Sequence, residues 1–149
     1  MVTRKPRGSY AKGSAKREEI LERAIDAFGK SGYHGTSMRE IAAACNLSQA
    51  GLLHHFPNKE ALLLAIVDKR EREQREIPEN SSPTVASSLD RYLKQISANQ
   101  ENVAVTRLWA NLVGEATDPD HPAHDYFKER YSRSRDRFAD VMAQQNGRK

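Results

Sequence analysis

The sequence predicts an all-α fold, a three-helix helix-turn-helix unit followed by a second helical part. Three observations predict it. Apolar residues recur at three- and four-residue spacing along most of the 149 residues, the signature of amphipathic helices. Strict apolar/polar alternation, which would mark strands, never lasts. Glycine and proline fall mostly at the ends of the periodic stretches, where helices stop. With 38% hydrophobic and 30% charged residues, the composition is that of a globular chain long enough to bury a core. No apolar run is long enough to span a bilayer, and no apolar N-terminal segment reads as a signal peptide, so a cytoplasmic location is expected. A lone cysteine, Cys45, cannot form an internal disulfide and sits in an apolar stripe as a small buried residue.

The first segment, residues 1–15, reads as a flexible basic arm rich in Gly, Ser and Lys. Arg4, Lys5, Arg7, Lys12, Lys16 and Arg17 put six positive charges and no acid into residues 1–17, leaving 18 basic against 20 acidic residues beyond them. Such an arm is either a solubilising tail or a segment that lies on phosphates. The first helix is expected from about Lys16 to Ser31, with Ile20, Leu21, Ala24, Ala27 and Phe28 on its buried side and Gly32 as its stop. Glu18, Glu19 and Glu22 near its start and Lys30 near its end suit the helix dipole.

The segment from Thr36 to Lys59 then reads TSMREIAAACNLSQAGLLHHFPNK. Ser37 with Glu40 is a capping box. Met38, Ile41, Ala42 and Cys45 mark a buried face, and Asn46 suits the left-handed residue that ends a helix. Ser48 is the N-cap of the next helix, whose buried side is expected at Leu52, Leu53 and Phe56. Pro57 ends that helix and Asn58 caps another. Helix, tight turn and short helix make the shape whose second helix enters the DNA major groove. Gly51 inside it serves either close approach to DNA or packing against the preceding helix.

The residues Phe28-Gly29-Lys30-Ser31-Gly32-Tyr33, Thr36-Ser37, Ile41-Ala42, Leu47-Ser48, Leu52, His55-Phe56 and Lys59-Glu60-x-Leu62-Leu63 resemble the DNA-binding domain of TetR-family transcriptional regulators over about Arg17 to Val67. Two positions depart from the family pattern. Asn46 stands at the usual turn glycine, and Leu53 at the usual tyrosine, which removes a hydroxyl that could hold a phosphate. The resemblance implies a domain at residues 16–60 that binds a palindromic double-stranded operator. Gln49 and Ala50 would face base edges, since glutamine pairs bidentately with adenine and alanine touches a thymine methyl. Thr36, Ser37, His54, His55 and Lys59 would hold phosphates, with Lys16 and Arg17 also on DNA at the foot of the arm. Ser48 would cap the helix or contact a phosphate, and Gly51 would let backbone approach DNA. Each histidine could equally be a packed or helix-end residue.

Residues 61–149 read as a linker helix and a partial helical effector-binding and dimerisation domain. Leu62, Leu63, Ile66 and Val67 are apolar, and the charged run Asp68 to Glu76 is expected to be a solvated face laced by Asp68–Arg72, Lys69–Glu73 and Glu71–Arg75 pairs. Pro78 to Pro83 is a break, after which Ser81 or Ser82 would cap a helix with Pro83 in its first turn. Apolar stripes follow at Val85, Leu89, Tyr92, Leu93 and Ile96, at Val105, Leu108, Trp109, Leu112, Val113 and Ala116, and at Phe127, Tyr131, Phe138, Val141 and Met142. Tyr92, Ile96, Trp109, Leu112, Phe127 and Tyr131 are the candidate lining of an effector pocket, although core packing explains the same residues.

Asp118, Asp120, His121, His124 and Asp125 cluster before the last stripe, but without ordered metal-ligand spacing they read as a capped loop, and no metal or cofactor is expected. No nucleophile–base pair or phosphate loop stands out, so an enzyme is not expected. In the resembling family two further helices build the homodimer interface. The last stripe here runs close to Lys149, so a weakened homodimer is expected. The resemblance implies a repressor released by a small-molecule effector; a DNA binder without an effector is the alternative.

Overall fold

The computed structural model describes residues 7–75 and 84–146. Among them lie seven α-helices and no strand: α1 (Arg7–Gly35), α2 (Met38–Ala44), α3 (Gln49–His55), α4 (Lys59–Arg75), α5 (Val85–Glu101), α6 (Val103–Glu115) and α7 (His124–Asn146). No described helix is long and apolar enough to cross a membrane. The all-α expectation holds. The Pro78–Pro83 break and the Ser81 or Ser82 cap lie outside the described residues, as do Arg4 and Lys5.

The start of α1 differs from expectation. The helix begins at Arg7 rather than near Lys16, so the segment read as a flexible arm is helical from Arg7 onward. Nucleation is the costly step of helix formation, and extending a helix already fixed by its packed stripe is cheap. Ala11, Lys12 and Ala15 are good helix formers that carry it back. At the other end Gly32 adopts φ 73°, ψ 173°, a break that glycine makes without steric cost.

The caps form as their residues dictate. Glu40 N–H donates to Ser37 Oγ at 3.2 Å while Ser37 N–H donates to Glu40 Oε2 at 2.7 Å. The Ser37 amide first, and then its hydroxyl, which donates to Glu40 Oε2 at 2.8 Å, hold the Glu40 carboxyl below its usual range. Asn46 has φ 54°, and Leu47 N–H reaches back to Ala42 O at 2.9 Å while Asn46 N–H bonds Ala43 O at 3.1 Å. This is a Schellman ending with asparagine in the left-handed place. Asn58 Oδ1 caps α4 through Ala61 N–H at 2.7 Å. Thr84 caps α5 in a reciprocal pair with Ser87, each side-chain oxygen accepting the other's N–H at 3.1 and 2.9 Å.

One buried cluster runs through both parts of the chain. Ile20, Ala24 and Phe28 of α1 join Ile41, Cys45, Leu52, Phe56, Leu62 and Leu63 on one side and Leu108, Leu112 and Phe127 on the other. The α1–α6 crossing is close because Gly29 has no side chain: a Cβ there would stand 2.9 Å from Ala104 O. Expectations of burial are corrected at two positions. Leu53 is 39% exposed and Val113 41%. One residue is 100° of helix, and each sits one step beyond a fully buried leucine, Leu52 or Leu112. Leu89, Leu93, Phe138 and Met142 are also exposed in the single chain.

The charged run of α4 is only partly a solvated face. Asp68–Arg72 and Lys69–Glu73 pair as expected, at 3.4 and 3.9 Å. Glu71 also turns inward toward α7, while the side chain of its expected in-helix partner Arg75 lies outside the described residues. It accepts from Tyr126 Oη at 2.9 Å and from Arg130 Nη1 at 3.1 Å, with Arg133 Nη2 at 3.6 Å. Burial works to raise the Glu71 pKa, but the Tyr126 hydroxyl and the two arginines outweigh it and lower it. Burial, with the Glu71 bond, pushes the Tyr126 phenol up to about 12. Arginines on a distant helix supply the partners, so spacing within α4 could not reveal them.

Candidate nucleic-acid interface

α3 presents one face to the core and one to solvent. Leu52 and the C-cap residue Phe56 are buried and fix the helix from behind. Ser48 Oγ accepts Gly51 N–H at 3.0 Å and holds the first turn, worth about 1 kcal/mol for such a cap. Gln49, Ala50, Leu53 and His54 are left exposed. Gln49 and Leu53 are four residues apart, and Ala50 and His54 likewise, so the four form one outward patch.

The other expected residues divide by what their side chains already do. Ser37 is exposed at the start of α2 beside its cap partner. Thr36 is 4% exposed, and its hydroxyl donates to Gly32 O at 2.7 Å. Its side chain therefore secures the entry to α2 instead of facing outward. Lys59 Nζ donates to Tyr33 O at 2.9 Å and Thr36 O at 3.1 Å, over the Tyr33 ring at 4.4 Å. Lys16 Nζ donates to Cys45 O at 2.8 Å, and Arg17 Nη1 to His55 O at 2.8 Å, the latter guanidinium 4.0 Å over the Phe56 ring. Cations at helix C-termini meet carbonyls that the helix leaves unpaired. Lys16 and Arg17 thus clamp the ends of α2 and α3 to α1.

His55 is half-buried beside exposed His54, their rings edge to face at 5.8 Å. A Cβ on Gly51 would meet Ser48 Oγ at 3.2 Å and Leu47 at 3.7 Å. Its bare side faces the preceding turn, which favours packing. Two exposed residues escape a reading of the sequence: Leu53, because a leucine next to Leu52 reads as core, and Arg39 in the first turn of α2, because no apolar pattern marks it.

Of the candidate effector lining, Trp109, Phe127 and Tyr131 come together as a run of rings, Phe127 and Tyr131 at 6.2 Å. Leu112 is core, Tyr131 is exposed, and Tyr92 and Ile96 fall outside the residues whose side chains are described. Trp109 and Phe127 meet edge to face at 5.7 Å. Among the described members of the six, Trp109 alone borders a cavity of about 150 Å³ between α1, α4 and α6, together with Ile25, Ile66, Arg70 and Leu108. That volume is below the roughly 300–1,000 Å³ of small-molecule sites. No cluster of three metal-ligating side chains occurs among the described residues. In the loop, Asp118 Oδ1 accepts Asp120 N–H at 3.0 Å and His124 Nδ1 meets Ala116 O at 2.9 Å, as turn-forming groups do.

Residues 20–66 match the family of bacterial regulatory proteins known as the tetR family. The HTH-type transcriptional regulator RutR of Escherichia coli (strain K12) is 44% identical over 54 residues, which are 36% of this chain and 26% of RutR. UidR of the same organism, also an HTH-type transcriptional regulator, is 43% identical over 51 residues, 34% of this chain and 26% of UidR. The uncharacterized HTH-type regulator YuxN of Bacillus subtilis (strain 168) is 42% identical over 53 residues, 36% of this chain and 18% of YuxN. The matches thus span about a quarter or less of these relatives' length. A crystal structure from Mesorhizobium loti MAFF303099, assigned to the TetR family, superposes with a TM-score of 0.57 at 23% identity. It covers 78% of this chain and 60% of its own, a likeness of fold.

Proposed function

We propose that this chain, which belongs to the tetR family of bacterial regulatory proteins through residues 20–66, is a sequence-specific DNA-binding transcriptional regulator acting as a repressor. The observation that carries this reading is α3 itself. It is capped by Ser48, anchored by Leu52 and Phe56, and clamped to α1 by Arg17, with Gln49 and Ala50 exposed at its N-terminal end. Recognition helices meet base edges with their N-terminal residues. Gln49 pairs with adenine, Ala50 and Leu53 offer apolar contact to thymine methyls, and Ser37, Arg39 and His54 hold phosphates. Residues 1–60 form the reading unit, and the remaining helices form the part that holds two copies in register on a palindrome and takes a small-molecule effector.

A genomic DNA selection with the purified chain supplies the site. On that site Gln49→Ala should lose about 1–3 kcal/mol of binding while affinity for random DNA stays nearly unchanged. Equal losses on both DNAs would show that Gln49 reads no base. Release by a small molecule that abolishes the complex supports the effector. Binding that no metabolite extract disturbs favours a constitutive regulator.

The basic N-terminal residues contribute without reading sequence. Replacing Arg4, Lys5, Arg7 and Lys12 by glutamine should flatten the plot of log affinity against log salt, by up to about 0.9 for each phosphate left without its cation. An unchanged slope would leave these charges with a solubility role.

A further inference from the structure

α6 meets α1 at the point where α1 breaks. Non-helical Gly32 takes the following amide out of the helix ladder, and Tyr33 N–H donates to Glu115 Oε2 at 2.9 Å. Asn111, one turn earlier on α6, donates Nδ2–H to Gly29 O at 3.0 Å. A Cβ on residue 32 would stand 2.3 Å from Glu115 Oε1, so the carboxylate occupies the space that only glycine leaves.

His121, in the turn between α6 and α7, closes the other side of this junction. Its side chain is fully buried, edge-on to the Tyr33 ring at 5.0 Å and the His34 ring at 5.6 Å. Nδ1 accepts Ala123 N–H at 3.1 Å, so the neutral ring carries its proton on Nε2. Nε2 has no hydrogen-bond partner among the described residues and stands 3.8 Å from Glu115 Oε2. The charged or titratable groups around the ring are Glu115 from α6, Tyr33 and His34 from the end of α1, and Asp118 from its own loop. Lys59 of α4 lies over Tyr33, and Glu60 acts on the Tyr33 phenol.

We propose that Glu115 is a positioning residue that sets how α2 and α3 leave α1, and that protonation of His121 releases it. This deepens the reading of α3 as the DNA-reading element and rests on it. The added proton comes from solvent and must go to Nδ1, since Nε2 already holds one. Nδ1–H then faces Ala123 N–H, donor against donor, and that bond is lost. The imidazolium draws the Glu115 carboxylate, which leaves the Tyr33 amide. The seat of the segment running into Thr36 and α2 shifts with it.

Burial is the main influence on the ring and lowers its pKa; Glu115 and Asp118 oppose this and His34 adds to it. The sign follows from the depressed value. Stability from the neutral ring is complete above the ordinary value of 6.5 and is lost as pH falls through it toward the folded value.

The test uses the whole 149-residue chain between about pH 8 and pH 5.5, the range in which histidine changes charge. Nitrogen-15 NMR of the histidines should show the Nε2–H tautomer at the upper end, with the Tyr33 amide moving as His121 titrates. Affinity for the selected DNA should fall roughly tenfold more in the wild type than in His121→Gln, about 1.4 kcal/mol of coupling. That comparison keeps His54 and His55 the same in both proteins. Glu115→Gln retains a carbonyl acceptor for Tyr33 and should keep affinity at the upper pH while losing the acid step. Identical pH profiles for wild type and His121→Gln, or a Tyr33 amide that stays still while His121 titrates, would overturn the proposal. A wild type that binds no DNA at either pH sinks the DNA-binding reading, while the NMR coupling still decides the latch.

Discussion

Leu52→Ala should cost the fold about 2–5 kcal/mol, whereas Leu53→Ala, one residue along, should stay within about 0.5 kcal/mol of the wild type. Leu52 is fully buried among core residues from several helices, and its truncation leaves a cavity that a short capped helix cannot close. Leu53 stands 39% exposed on the outward patch with Gln49. On DNA the order reverses. Leu53→Ala removes apolar surface from the reading face and should weaken specific binding, most where a thymine methyl lies opposite. Urea unfolding of both variants, with binding to selected sites carrying thymine or uracil, separates the two roles. Equal stability losses would return Leu53 to the core.

This pair shows where the sequence is legible. The caps at Ser37, Ser48 and Asn58 and the left-handed Asn46 form as read, because each rests on a local bond that its own residue supplies. The apolar faces of α1 and α2 also emerge at the expected positions. In a helix of seven residues, however, two adjacent leucines fit either face, and only the tertiary arrangement assigns them. Glu71 is the same case with charge: its in-helix pairing is plausible by spacing, while its partners Tyr126 and Arg130 lie on α7. Lys16, Arg17, Lys59 and Thr36 read as groups for phosphate, the natural use of basic and hydroxyl residues beside a helix-turn-helix. Their bonds to Cys45, His55, Tyr33 and Gly32 carbonyls depend on where three helix ends converge. Sequence gives residue types near such a site, and geometry decides which are already engaged.

The same alanine should act with opposite sign at two glycines of α1. Gly13 is exposed, and a Cβ there meets nothing within 4 Å. Gly13→Ala should therefore stabilise by about 0.5–1 kcal/mol, the helix-interior preference of alanine over glycine. Gly29 has the same preference available, but its Cβ would lie 2.9 Å from Ala104 O and 3.3 Å from Leu108 N. These are backbone atoms of α6 and cannot swing aside like a side-chain end. Seating the methyl group requires α6 to retreat from α1, which loosens Leu108 and Leu112 and pulls Asn111 and Glu115 from the α1 break. Overpacking of this kind costs about 1–3 kcal/mol, more than the helix preference returns, so Gly29→Ala should be net destabilising. It should also disturb the Tyr33 amide, which Gly13→Ala leaves alone. Thermal unfolding of the two variants decides the matter: a stabilised Gly29→Ala would mean that α1 and α6 do not approach as closely as Gly29 allows.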